Sequence, residues 1–316
     1  MRVKIFQNLY FCKGGNTLAI LETRNLVKKF GNFTALNGVN MEVNKGEVYG
    51  FIGPNGAGKS TTIRILLGIL KATSGEAKIF GMDAWKDAVE IHKRIAYVPG
   101  DVNLWPNLTG GEVIDLFVKL RGGNNKSRRE DLIERFDLDP TKKCRTYSKG
   151  NRQKVALVAA FASDADLYIL DEPTSGLDPL MERVFQDYVM EAKNEGKSVL
   201  LSSHILSEVE RLCDHVGIIR QGEIIESGSL KDLRHLTRTH LTIETKEEIP
   251  NLHLIDGVHR VEKQDKEINF QVDTEKMDEI MRHVSQFGIV KLESAPPKLE
   301  DLFMRHYDSS EAENRG

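Results

Sequence analysis

Cysteine is scarce in this chain, and the few thiols do not pair. Cys12, Cys144 and Cys213 are the three in 316 residues, far apart and without a Cys-x-x-Cys spacing. Neither a zinc site nor a disulfide framework is expected, and a reducing cytoplasm fits. An excess of charge is missing too. The 44 Lys and Arg set against 47 Asp and Glu leave a net charge of -3, which gives no bulk electrostatic reason to expect nucleic acid or an anionic membrane surface as partner. No apolar run approaches the roughly 18 residues of a membrane-spanning helix. The first 17 residues carry Arg2 and Lys4 but neither a sustained apolar core nor a small-residue cleavage site, so no secretory signal is expected and residues 1–17 read as an irregular extension. Internal repeats and low-complexity segments are absent. What is present is 40% hydrophobic content, enough for a well-buried core in one large domain plus a small one, or in two medium ones.

The most informative feature is Gly53-Pro54-Asn55-Gly56-Ala57-Gly58-Lys59-Ser60-Thr61, directly after the apolar stretch Val48 to Ile52 and directly before Ile63-Arg64-Ile65-Leu66-Leu67. Strand, glycine-rich loop and helix in that order form a phosphate cradle. The glycines let successive backbone N–H groups turn inward around the β- and γ-phosphates, Lys59 adds positive charge, and Ser60 can offer its hydroxyl to Mg²⁺. A nucleoside triphosphate is the expected ligand.

From Leu18 to about Ser229, β-rich runs alternate with helical patterns. Strands are expected over 47–52, 95–98, 167–170 and 198–201, and helices over 61–70, 180–192 and 205–212, so the fold class is α/β with a largely parallel sheet. Between about 101 and 146 the strand signal stops. Thr109-Gly110-Gly111-Glu112 reads as a capping box, and Val113, Leu116, Phe117 and Leu120 then recur at helical spacing, predicting a helical insertion. Beyond about 230, Leu241 and Ile243 alternate with polar residues, as do Ile268, Phe270 and Val272, while Met277, Ile280, Met281 and Val284 have helical spacing. A small α+β domain over 230–316 is expected, closed by the Pro296-Pro297 break and a last amphipathic helix through Leu299, Leu302 and Phe303.

Leu167-Tyr168-Ile169-Leu170-Asp171-Glu172-Pro173 is an apolar strand ending in adjacent carboxylates. Phosphoryl transfer to water needs one carboxylate toward the metal and one group that orients or deprotonates the water, roles that suit Asp171 and Glu172 respectively. Val199 to Ser203 repeats the design and ends at His204, whose ring can hold both phosphate and water. Asp178 before Pro179 reads as a helix N-cap.

These motifs, with Tyr147-Ser148-Lys149-Gly150-Asn151-Arg152-Gln153 and Ser175-Gly176-Leu177-Asp178, resemble the ATP-binding cassette ATPases in order and spacing over about 18–229. The resemblance implies a phosphate-loop NTPase cassette with a mostly parallel sheet core, an antiparallel β subdomain and a helical subdomain. It also implies head-to-tail dimers, each ATP lying between the phosphate loop of one copy and Ser148 to Gly150 of the other. In that arrangement Phe30 stacks on adenine, residues 53–61 hold the phosphates, Ser60 and Asp171 serve Mg²⁺, Glu172, His204 and Lys59 are catalytic, and Asp178 contacts the nucleotide site. Three positions depart from the family pattern: Gly100 with Asp101 where many members carry Gln, Lys149 where Gly is commoner, and Asn151 where Gln is.

A cassette with a small α+β tail resembles the ATPase subunits of bacterial export-type transporters, whose permeases are separate chains. Leu104, Trp105 and Leu108 then suit the groove for a permease helix, and the chain is expected at the inner face of the cell membrane, with no nucleic acid partner. The other function class is a non-transport cassette ATPase acting on ribosomes or nucleic acid. Such relatives typically carry two cassettes, a long coiled coil or zinc-binding cysteines, none of which is found here. A phosphate-loop kinase leaves the Ser148 segment unexplained.

Overall fold

The structure, a computed structural model, describes residues 19–121, 126–235, 238–264 and 266–295. The extension over 1–17, the Pro296-Pro297 break and the closing helix expected through Phe303 lie outside them. The chain divides into two compact units between Ser227 and Gly228.

The first unit opens with β1 (Ala19–Phe30) and β2 (Phe33–Asn44), then β3 (Val48–Ile52) and α1 (Lys59–Leu66). There follow β4 (Ser74–Ile79), β5 (Met82–Asp83), α2 (Ala88–His92) and β6 (Ile95–Val98), and next the helical stretch of α3 (Gly110–Leu120), α4 (Lys126–Arg135) and α5 (Lys149–Phe161). Then come β7 (Leu167–Asp171), α6 (Pro179–Asn194), β8 (Ser198–Ser203), α7 (Leu206–Leu212), β9 (His215–Arg220) and β10 (Glu223–Ser229), the last two residues of β10 falling past the division.

Six strands form one sheet in the order β10-β9-β3-β8-β7-β6, and the pairs from β9 across to β6 are parallel. Every residue of β3, β7 and β8 is buried. A strand covered on both faces needs apolar side chains at successive positions, so these segments read as continuous apolar runs instead of alternating ones. A second sheet, β2-β1-β4-β5, is antiparallel. Leu26, Leu36 and Val39 from it share one apolar cluster with Phe51 of β3 and Ile63 and Leu66 of α1, so the strand and helix that flank the phosphate loop are anchored on the same core.

The helix expected over 61–70 begins at Lys59 and ends at Leu66. It stops because Gly68 takes φ +64, at a place where a Cβ would stand 2.6 Å from the Ala84 carbonyl oxygen and 2.7 Å from Ala88 Cβ of α2. The capping box is formed: Glu112 N–H donates to Thr109 Oγ1 at 3.1 Å, and Thr109 N–H donates to Glu112 Oε2 at 2.7 Å. Together they satisfy two of the N–H groups that α3 cannot bond internally.

The second unit holds α8 (Leu230–His235), β11 (Thr239–Thr245), β12 (Val258–Gln264), β13 (Glu267–Val272), α9 (Met277–Ser285) and β14 (Ile289–Ala295). Its sheet is antiparallel in the order β12-β13-β11-β14. Leu241, Ile243, Ile268, Phe270 and Val272 point to one face and pack with Ile280 and Val284 of α9, as the period of two in the strands and the helical spacing of α9 require. Among the described residues no helix is long and apolar enough to cross a membrane.

Candidate functional site

Parallel register decides where the chemistry collects. Ile52 pairs with Ser203, and Asp171 with Ser202, so the residues that leave the ends of β3, β7 and β8 emerge at one carboxyl edge of the sheet. Those residues are Gly53, Glu172 and His204. The cleft there is lined by Pro54 to Gly56, Gly58 to Thr61, and Glu172.

The loop needs its glycines for two separate reasons. Gly58 has φ +117, in the left-handed half of conformational space where a Cβ is strained. Gly53 has room for no side chain: a Cβ would lie 2.3 Å from the Ile219 carbonyl oxygen of β9. Gly53→Ala must therefore push the loop off the sheet, at a cost of about 1–3 kcal/mol for an overpacked site. We expect a lower melting temperature and loss of ATP binding together. A variant that melts with the parent and binds ATP as tightly would show that the contact can relax.

Lys59 is buried, and its Nζ donates to the Gly53 carbonyl oxygen at 2.5 Å and weakly to that of Pro54 at 3.4 Å. The cation is thereby held over the loop. Burial pulls its pKa below the usual lysine value, with Glu172 and Asp171 opposing that shift. Glu172 Oε1 stands 3.7 Å from Lys59 Nζ and 3.4 Å from His204 Nδ1, so the three expected catalytic side chains converge. Glu172 also holds φ +47, uncommon for a residue with a long side chain. Its N–H donates to the Ser202 carbonyl at 3.0 Å, and its own carbonyl accepts from Ser175 N–H at 3.1 Å, bonds that fix the turn and the direction of the carboxylate.

Asp171 is buried at the end of β7, and Ser202 Oγ donates to its Oδ1. Ser60, the second residue of α1, is exposed. A carboxylate and a hydroxyl are hard oxygen donors of the kind Mg²⁺ takes, and this donor set fits that ion. Among the described residues no group of three His, Cys, Asp or Glu converges to hold a metal ion, so such a cation would draw its remaining oxygens from phosphate and water.

The other expected site residues lie elsewhere on the unit. Ser148 is not among the residues lining the cleft. It caps α5, accepting from Asn151 N–H at 3.2 Å. Lys149 Nζ donates to Ser175 Oγ at 2.7 Å, and Gly150 lies so close to Gly176 that a Cβ would meet its carbonyl oxygen at 2.4 Å. Asp178 Oδ1 caps α6, accepting from Leu180 and Met181 N–H at 3.0 Å each. Phe30 is half exposed at the end of β1, with Lys28 Nζ 4.9 Å from its ring centre. Trp105 is also half exposed, its ring centre 6.2 Å from that of Phe117. Gly100 stands against the acidic turn: a Cβ there would be 3.1 Å from the Asp171 carbonyl oxygen. Sequence reasoning missed Ser202, and also Gln153, which is buried and donates to the Pro173 carbonyl at 2.9 Å, tying α5 to the turn that carries Glu172. Polar residues inside an apolar strand and inside a buried helix were the available signals.

Two families match this chain, one described as ABC transporter over residues 36–175 and one described as the C-terminal domain of ATP-binding protein DrrA1-3-like over residues 228–307. The bacitracin transport ATP-binding protein BcrA of Bacillus licheniformis is 32% identical over 90% of this chain and 96% of its own length. A solved structure of the ATP-binding subunit of an ABC transporter is 34% identical, with a TM-score of 0.65, and covers 69% of this chain and 92% of that one. The dimeric structure of a bacterial ABC transporter cassette is 25% identical, with a TM-score of 0.62, and covers 66% and 98%. A phosphate loop, an acidic strand end and a histidine at one sheet edge, in a chain aligned almost end to end with such a relative, leave one conclusion: this chain belongs to the ABC transporter family, as one of its ATP-binding and ATP-hydrolysing subunits.

Proposed function

We propose that this protein is the motor of a bacterial exporter, pairing with a second copy on Mg-ATP and driving separate membrane-spanning subunits from the cytoplasmic face. The observation that carries the chemistry is the meeting of Lys59, Glu172 and His204 at the cleft. In this reading residues 53–61 bind the phosphates, with Lys59 countering their charge. Glu172 accepts the proton of the attacking water, and His204 orients that water and the γ-phosphate. Ser60 and Asp171 would hold Mg²⁺, which when bound neutralises charge on the phosphates. Phe30 offers a face to adenine. Ser148, Gly150 and Asp178 complete the site of the opposite copy, where the N-terminus of α5 favours an anion. The groove around Leu104, Trp105 and Leu108 receives the permease.

Support for transport comes from relatives named for bacitracin transport and, in Escherichia coli, from a probable multidrug ABC transporter ATP-binding protein. No comparable support exists for the ribosome or nucleic acid reading. We further propose that the cassette over 18–229 and the tail over 230–316 are separate domains with separate tasks, and the Ser227/Gly228 division accords with this. The test is co-expression with candidate permeases. The protein should sediment with membranes and hydrolyse ATP there only when its permease is present; membrane association without any permease would count against this assembly.

A further inference from the structure

One buried acid has no part in the chemistry above. Glu208, in the first turn of α7, is 4% exposed. Burying a carboxyl group is costly unless its oxygens are bonded, so its neighbours indicate what it does. Ser203 Oγ donates to Glu208 Oε2 at 2.7 Å and itself accepts from Ile205 N–H at 3.0 Å. Its other oxygen, Oε1, is buried without a hydrogen-bond partner. Ser203 is itself buried, at 2% exposure.

The sequence position of Ser203 matters. It immediately precedes His204, and the N–H that its hydroxyl accepts belongs to Ile205, immediately after. One carboxyl group therefore fixes a hydroxyl that is tied to the chain on both sides of His204, whose Nδ1 stands 3.4 Å from Glu172 Oε1. We propose that Glu208 is a positioning residue for ATP hydrolysis: it holds His204 at its distance from Glu172 by fixing the Ser203 hydroxyl beside it. The inference rests on the proposed roles of Glu172 and His204. The bond reaches only the chain beside His204, and Glu208 does not line the phosphate cleft, so nucleotide binding should be nearly independent of it while turnover is not. Burial pushes the Glu208 carboxyl above the usual carboxylate range, with the Ser203 hydroxyl opposing that shift. A group held toward its neutral form is closely mimicked by an amide.

The test is steady-state hydrolysis of Mg-ATP by the full chain. Glu208→Ala should lower kcat by roughly tenfold to a hundredfold, the scale of a catalytic group misplaced by about 1 Å, with KM within about twofold of the parent. Glu208→Gln, which keeps an acceptor for Ser203, should recover most of the loss. Combining Glu208→Ala with Glu172→Gln should be no slower than Glu172→Gln alone. A parental kcat in Glu208→Ala overturns the proposal, as does a loss shared equally by kcat and KM that the amide does not rescue. If Glu208→Ala lacks a cooperative melt, Ser203→Ala carries the same expectation, and parental kcat in that variant overturns it equally. Parental turnover in Glu172→Gln would instead fault the underlying assignment.

Discussion

Glu172→Gln should bind Mg-ATP as the parent does and hydrolyse it roughly 10²–10⁴-fold more slowly, the usual contribution of a positioned general base. The amide preserves size and hydrogen-bonding capacity and removes the negative charge and with it the ability to take a proton. Binding should survive because Lys59 is held by the carbonyl oxygens of Gly53 and Pro54 and does not depend on Glu172 for its place. The backbone should also be unchanged. Glu172 keeps its left-handed φ through main-chain bonds to Ser202 and Ser175, which a side-chain substitution leaves intact. Left-handed non-glycine residues cost of order 1–3 kcal/mol and persist only where their surroundings over-determine them. Here the strain aims the carboxylate at His204 and Lys59. The measurement is phosphate release alongside nucleotide affinity. Parental turnover would remove Glu172 from the base role, and lost binding would move it into the binding site.

That strained turn also marks the limit of what the sequence discloses. Motifs whose bonds close within a few residues were legible: the Thr109 to Glu112 box, the Asp178 cap before Pro179, and the phosphate loop between its strand and helix. So were the apolar runs of the parallel strands and the alternation of Leu241 and Ile243. The strand order was not legible from periodicity, because which strand lies beside β3 is a matter of long-range pairing. The strict need for glycine at position 53 depends on the carbonyl of Ile219, more than 160 residues along the chain. Ser202 and Glu208 read as ordinary strand and helix residues until the fold sets them against Asp171 and Ser203. Gly100 belongs to the same class: its departure from the family pattern was visible, but its approach to the Asp171 carbonyl was not.

Shared catalysis between copies predicts a result that neither parent variant gives alone. Lys59→Ala removes the cation from the phosphate loop, and Ser148→Arg places a bulky charge at the N-terminus of α5 where the opposite nucleotide is proposed to sit. Each homodimer carries the same lesion in both composite sites, so each should be nearly inactive. In a mixed dimer, one site combines the altered loop with the altered helix end, and the other combines an intact loop with an intact Ser148. That second site should hydrolyse ATP. Ser148→Arg also removes the cap on Asn151 N–H, at a cost of about 1 kcal/mol, which α5 can tolerate because most of it is buried against the unit. Rescue is therefore expected to be measurable, at no more than half of the parental rate per dimer if sites act independently. The decisive experiment mixes the two purified variants, verifies mixed dimers by differential tagging, and follows phosphate release. Mixed dimers as inactive as both parents would mean that Ser148 serves its own copy or none, and that the head-to-tail arrangement is wrong for this protein.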